Sequence, residues 1–294
     1  MYFLILNASV IFAIIDIILK GVNNFMNPIK LVSIDIDGTL YNDNREITPA
    51  VKKTIQKATA QGVYVVITTG RPETGVKSIL NELDLVGSDH YVITHNGGLV
   101  QTTDGQKVLH RAALSWESFQ QAQRFAAENN AYIQIESDTD AYTINRYVNV
   151  FASQENFVVN IPLTVKDSLA ELKEVPFVKA IAIGEKVFMD QVQAKVPEQL
   201  AIDANVVRST PNNLEFMNND ASKGQALLAL AEELGINQSQ TMAIGDQEND
   251  FTMIQAAGIG VAMGNAIPAI KEVAKAETAD NNHDGVAKAI ERFV

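Results

Sequence analysis

The run Leu31-Val32-Ser33-Ile34-Asp35-Ile36-Asp37-Gly38-Thr39-Leu40 decides how the rest of the chain is read. Its first half is mostly apolar, as a strand buried in a parallel sheet must be. Its second half places two carboxylates at i and i+2, then a glycine and a threonine. Side chains two apart on an extended backbone project to the same side. The spacing therefore predicts that Asp35 and Asp37 enter one small volume at the strand's carboxyl end, where open α/β sheets bind ligands. Two anions that close repel, and burying them is costly without a proton or cation to compensate. A hard divalent cation such as Mg2+, which takes oxygen ligands and keeps part of its water, is the simplest compensation. The bland alternative is a strand followed by an Asp-Gly turn with both acids in water. Residues far downstream separate the two.

The segments that follow set the fold class. The stretch 47–61 predicts a helix, with Thr48 as N-cap, Pro49 at the first helical position and Gly62 past the end. A second buried strand at 63–68 is rich in β-branched residues and ends in Thr69-Gly70-Arg71-Pro72. A helix over 73–83 and a third strand over 91–94, running into His95-Asn96-Gly97-Gly98, complete the order of a doubly wound, Rossmann-like parallel sheet. After about residue 99 the rhythm changes. A hairpin over 101–110 turns at Asp104-Gly105. A helix over 116–129 carries the single tryptophan, Trp116, which the pattern assigns to packing. Strands at 132–136, 142–145, 178–183 and 205–208 are separated by helices near 168–173 and 187–195. Alternation with one wet face predicts an antiparallel sheet carrying helices on one side. From 222 the α/β rhythm returns, with helices over 223–234, 251–257, 267–276 and 285–293 and strands over 240–244 and 258–263. The expected fold is α/β: a parallel core (28–111 and 211–294) with an inserted α+β cap (112–210).

Composition narrows the function classes. The 294 residues carry a net charge of −12 and are 47% hydrophobic, enough for a packed core but the wrong sign for a nucleic-acid binder. A phosphorylated small molecule needs only a few local cations and stays open. The absence of cysteine removes disulfides and thiolate metal sites, and fits a cytoplasmic protein. The leader 1–27 is anomalous. Residues 2–19 are nearly all apolar, interrupted by Asn7, Ser9 and Asp16, which makes a marginal membrane span against the ~20 residues one needs. A signal peptide would have a basic amino end, and the first basic residue here is Lys20, after the apolar run. The favoured reading is a true start at Met26, with an amino-terminal membrane anchor as the alternative.

Three strand ends carry polar clusters: Asp35, Asp37 and Thr39; Thr69 and Gly70; Asp246, Asn249 and Asp250. Lys223 sits at a helix start. Parallel strands side by side place all these ends on one edge. Acids to hold a cation, with lysine and amides to hold transferring oxygens, are the kit for moving a phosphoryl group. Each residue alone has a plainer role. Thr69 could cap the following helix, Lys223 could be a solvated helix residue, and Asp250 and Asn249 could serve a helix amino end. Arg71 could pair with any local acid. His95, His110 and His283 have no metal-site spacing.

Taken in order, Asp35-x-Asp37-Gly-Thr, Thr69-Gly-Arg, Lys223-Gly and Gly245-Asp246-x-x-Asn249-Asp250 resemble the four motifs of the haloacid dehalogenase superfamily. The stretch 243–268 and the Asn96-Gly97-Gly98 turn resemble its Cof-type sugar phosphatases, which carry a large α/β cap between the second and third motifs. The likeness spans 28–294. Thr68 and Gly98 depart from the commoner alanines, both as small-residue changes. The resemblance implies that Asp35 is the nucleophile and becomes an aspartyl phosphate. It implies that Asp37 is the general acid and then the base. Mg2+ would lie on the Asp35 and Asp246 carboxylates and the Asp37 backbone carbonyl, with Asp250 in support. Phosphate oxygens would meet Thr69, Lys223, Asn249 and the amides of Ile36 and Gly70.

The expected protein is a Mg2+-dependent phosphatase of small phosphorylated metabolites, sugar phosphates first. Its alternatives are a phosphomutase or phosphotransferase, and a non-catalytic or membrane-tethered metabolite binder on the same fold. Tyr142, Arg146 and Glu215 are candidate cap contacts to substrate.

Overall fold

The computed structural model describes residues 28–294; the apolar leader and the choice of start at Met26 fall outside the described residues. The central strand β1 (Leu31–Ile34) is buried on both faces. It is followed by β2 (Tyr64–Thr68), β3 (Tyr91–Thr94), β4 (Leu99–Thr102) and β5 (Val108–Arg111). The helix Pro49–Ala60 joins β1 to β2. The Thr48 side chain caps it by accepting from the Val51 N–H, and Val51, Ile55 and Ala58 are buried against the sheet. The hairpin β4–β5 runs antiparallel along the edge beside β3.

The chain then builds a second sheet before returning. Its strands are β6 (Tyr132–Glu136), β7 (Ala141–Thr143), β8 (Leu163–Val165), β9 (Lys179–Ile183), β10 (Asn205–Thr210) and β11 (Asn213–Met217), in spatial order β10-β11-β9-β6-β7-β8. The return adds β12 (Thr241–Gly245), β13 (Ile259–Ala262) and β14 (Ala276–Glu277) to the first sheet. That sheet has the order β14-β13-β12-β1-β2-β3-β4-β5 and is parallel from β14 to β3. The chain winds away from β1 through β2 on one side and comes back to β12 on the other. The carboxyl end of β1 is thus the switch point at which open sheets form a crevice.

Three features differ from the sequence expectation, the first being that the second sheet is not wholly antiparallel, since β7 and β8 pair in parallel. The insert was expected to end at 210, yet β11 pairs with both β9 and β10 in the second sheet. The short turn at Pro211 and Asn212 folds β10 back on β11, so the second sheet takes in residues up to Met217. The second sheet also has no wet face at its centre. One side, with Ile133, Ile135, Ala180, Ala182, Leu214 and Phe216, packs on the helices Trp116–Glu128, Lys186–Gln193 and Glu198–Asp203. Trp116 belongs to that layer, its ring centroid 5.3 Å from that of Phe119. The other side carries Gln134, Glu136, Lys179, Asn213 and Glu215, and all five are buried. That polar side covers the carboxyl edge of the first sheet, with the helix Val150–Val158 closing its flank. Among the described residues no helix is long and apolar enough to cross a membrane.

Candidate active site

The backbone stops being a strand at Ile34, and this decides where the two leading acids go. Thr39 and Tyr41 donate their N–H groups to the Ile36 carbonyl and Leu40 donates to that of Asp35, so 35–41 is a compact turn. Gly38 sits at φ 81°, where a side chain is strained, and a Cβ there would lie 2.5 Å from Asp246 Oδ2. The chain turns here rather than extending, and Asp35 and Asp37 differ in exposure. Asp35 is buried and faces inward; the Asp37 side chain is 59% exposed and faces Arg71. Both still line one cavity.

Lys223 opens the helix Lys223–Glu233, capped by the Ser222 side chain. Its placement depends on the turn after β3. His95, Asn96 and Gly97 all have positive φ, and a Cβ on Gly97 would clash with the Ser222 carbonyl. Only a glycine lets the loop seat the helix start that closely. Lys223 is 1% exposed, and its Nζ donates to Asp35 Oδ1 and Asp250 Oδ1, each at 2.6 Å. It is no solvated helix lysine. The other oxygen of Asp250 accepts from the Asp246 and Gln247 N–H groups at 2.8 and 3.0 Å. Asp250 thus fixes the loop that presents Asp246, and Asp246 itself accepts from the Thr39 hydroxyl at 2.9 Å.

Carboxylate oxygens of Asp35, Asp246 and Asp250 lie within 4.8 Å of one another. With Lys223 as their ammonium, three carboxylates and one cation leave a formal charge of −2. Burial first, and the Asp250 charge second, push Asp35 up to about 8 in spite of Lys223. Burial likewise pushes Asp246 up to about 6. Burial opposes the charge on Lys223, but Asp250 and Asp35 outweigh it and hold the amine above its usual range. Three carboxylates gathered at one point, only partly offset by Lys223, fit a hard divalent cation.

The phosphate-side candidates cluster around this centre. Ile36 lies in the turn after β1. Thr69 is buried, and its hydroxyl accepts from the Arg71 N–H at 3.2 Å, so it does cap the local turn as well as line the cavity. A Cβ on Gly70 would come within 3.0 Å of the Asn96 amide. Asn249 donates to Asn96 Oδ1 at 3.2 Å. Asn96 passes the connection upward by donating to Glu215 Oε2 at 3.2 Å. Glu215 Oε1 meets Lys179 Nζ at 3.1 Å, and that nitrogen lies 3.3 Å from both Glu136 Oε2 and the Gly70 carbonyl. A buried polar seam thus runs from the switch point into the second sheet. Burial raises the Glu136 pKa although Lys179 opposes it.

The cavity between the two sheets measures about 490 Å3. Of the expected cap contacts, Glu215 lines it. Tyr142 and Arg146 do not: Lys166 lies over the Tyr142 ring and Arg146 pairs with Asp167. Glu136, Lys179 and Asn213 were not singled out from the sequence. Their signal was a polar residue at alternate positions of otherwise apolar strands, which reads equally well as a solvated face. His95 is buried, and its Nε2 bonds the Ser137 carbonyl at 3.1 Å, joining the two sheets.

A model of haloacid dehalogenase-like hydrolases matches residues 32–290. A Streptococcus pyogenes serotype M6 protein with a provisional phosphatase name is 38% identical over 266 residues, covering 90% of this chain and 98% of its own. The 5-amino-6-(5-phospho-D-ribitylamino)uracil phosphatase YcsE of Bacillus subtilis is 32% identical, covering 90% and 96%. A solved haloacid dehalogenase-like hydrolase from Bacteroides thetaiotaomicron superposes with a TM-score of 0.81 at 30% identity, covering 90% of this chain and 100% of that one.

Proposed function

The chain belongs to the haloacid dehalogenase superfamily, in its Cof-type branch, and is a phosphatase; on that premise we propose that it hydrolyses small phosphorylated metabolites, sugar phosphates foremost, with Mg2+ and through an aspartyl phosphate on Asp35. The observation that carries this reading is the buried Lys223 ammonium shared by Asp35 and Asp250 at the switch point, with Asp246 beside them.

An Asp35 oxygen attacks phosphorus while the ester P–O bond breaks, and Asp37 gives the leaving alkoxide its proton. Asp37 then takes a proton from a water as that water attacks phosphorus; the acyl-phosphate P–O bond breaks and Asp35 is regenerated. The exposed position of Asp37 on the cavity wall suits a group that meets both the ester oxygen and water. Arg71 holds its carboxylate in place. Lys223, Asn249, the Thr69 hydroxyl and the amides of Ile36 and Gly70 bind the phosphate oxygens. Mg2+, held by the Asp35 and Asp246 carboxylates and the Asp37 carbonyl with Asp250 in support, would offset the charge of phosphate and acids together.

The unit built on the second sheet, an α+β insert running from about 112 to Met217, acts as the cap. It excludes bulk water and limits the substrate to a small molecule. The reading places the protein in the cytoplasm with its phosphorylated substrates. YcsE acts, by its name, on the phosphate of a ribityl chain, which supports a hydroxylated substrate for this relative. Mg2+-dependent phosphate release from a sugar-phosphate panel, lost in Asp35→Asn, is the expected result. Undiminished turnover by that variant would overturn the assignment of Asp35.

A further inference from the structure

Resting on the phosphatase reading, we propose that Asn96 is a positioning residue: through it, Glu215 of the second sheet fixes which end of the Asn249 side chain is offered to the transferring phosphate. Asn96 lies in the turn after β3 and lines the cavity. It is 3% exposed and holds φ 54°, between His95 at φ 53° and Gly97 at φ 95°. Residues other than glycine are uncommon in this region, and they persist where the surroundings over-determine them, most often at functional sites. Here the Asn96 N–H donates to the Thr69 carbonyl at 3.0 Å. Its amide lies against Gly70, where a Cβ would come within 3.0 Å of both Oδ1 and Nδ2. The turn thus holds the Asn96 side chain beside two of the residues read as phosphate ligands.

The hydrogen bonds from Glu215 through Asn96 to Asn249 have a fixed polarity. An amide has a donor end and an acceptor end, whereas a carboxylate only accepts. Glu215 pairs with the Lys179 ammonium through Oε1 at 3.1 Å, and its Oε2 accepts from Asn96 Nδ2 at 3.2 Å. With its donor end turned to Glu215, Asn96 presents Oδ1 to Asn249. That oxygen accepts from Asn249 Nδ2 at 3.2 Å. The Asn249 amide group has a second N–H, which stays available to a phosphate oxygen. An inverted Asn96 would instead draw the Asn249 carbonyl to the same place and set a lone pair where the donor now stands.

The three residues come from different units of the fold. Glu215 is on β11 of the insert, whereas Asn96 and Asn249 follow β3 and β12 of the parallel sheet. Lys179 Nζ, 3.3 Å from the Gly70 carbonyl, joins the same two units alongside. Both polar atoms of the Asn96 side chain are engaged with protein, so Asn96 acts on phosphate through Asn249 and not by contact of its own. The insert, seated on the first sheet, thereby sets the donor pattern of the phosphate site from outside it.

The test uses the full-length enzyme with Mg2+ and p-nitrophenyl phosphate, with inorganic phosphate as competitive inhibitor. Asn96→Gly removes the amide and leaves the left-handed turn without strain. It is expected to lower kcat/KM and to weaken phosphate inhibition, each by about tenfold. Asn249→Ala is expected to do the same. The double variant is expected to match Asn249→Ala to within about twofold, because Asn96 reaches phosphate only through Asn249. Glu215→Gln gives position 215 a donor of its own, releases Asn96 to invert, and is expected to weaken phosphate inhibition by about threefold. Unaltered phosphate inhibition in Asn96→Gly, or losses that multiply in the double variant, would overturn the inference alone. Should Asn96→Gly not fold, unaltered inhibition in Glu215→Gln would overturn it equally. Unaltered inhibition in Asn249→Ala would overturn the role given to Asn249 and the inference with it. A wild-type enzyme that releases no phosphate from any monoester would overturn the phosphatase reading itself.

Discussion

Arg71 donates from a single nitrogen, Nη2, to both carboxylate oxygens of Asp37, at 2.7 Å each. The pair sits on the cavity wall with the Asp37 side chain 59% exposed. An exposed ion pair of this kind contributes at most about 1 kcal/mol to stability. Its use is to aim a carboxylate that would otherwise sample several rotamers. Arg71→Ala is therefore expected to lower kcat by about tenfold while leaving thermal unfolding nearly unchanged. A variant with wild-type kcat would reduce the pair to incidental surface charge.

Lys223 has the opposite character. Its amine is buried and bonded to two carboxylates at 2.6 Å each. Lys223→Met would strand Asp35 and Asp250 as buried acids without their cation. Removing one partner of such a cluster costs about 3–5 kcal/mol, so chemical denaturation should show a loss of that order along with loss of phosphatase activity. A variant as stable as the wild type would mean that the Lys223 ammonium contributes nothing net to this buried cluster.

Proton linkage gives a prediction for metal. Asp35 is pushed up to about 8 and Asp246 to about 6, from a value of 3.8 outside the fold. Between those values the metal-free folded state holds protons that the unfolded chain has released. By linkage, stability of the metal-free protein then falls as pH rises from near 4 toward 8. The proposed Mg2+ would have to displace the same protons, so its affinity is expected to rise over that window. Melting curves with Mg2+ and with a chelator, at about pH 5 and about pH 9, check both signs. The two curves should nearly coincide at the lower pH and separate at the higher; the reverse order would contradict the buried-acid account.

Most of the first sheet was legible because its elements obey strong local rules. Thr48, Pro49 and Gly62 bracket one helix, and β-branched runs mark the strands. The motif residues Asp35, Thr69, Lys223, Asn249 and Asp246 do converge, because parallel strands deliver their ends to one edge. Asp35 and Asp37 do line one cavity, but the difference in their exposure was not legible. A period of two holds only while the chain stays extended, and hydrogen bonds to the Asp35 and Ile36 carbonyls turn it at once. The second sheet was misread on its polar side. Glu136 and Lys179 look like a solvated face because alternation reports which side differs, not what covers it. The cover here comes from segments far apart in the chain, such as Asn96 against Glu215. For the same reason β11, whose partners β9 and β10 show that it belongs to the insert, was assigned to the core.

The central claim is that Asp35 carries the phosphoryl group. The most direct test is borohydride trapping during turnover, since an acyl phosphate is reduced to the alcohol and a free carboxylate is not. Peptide mapping should then find homoserine at position 35 only when substrate and Mg2+ are both present. An unmodified Asp35 with reduction at Asp37 or Asp246 would contradict the account.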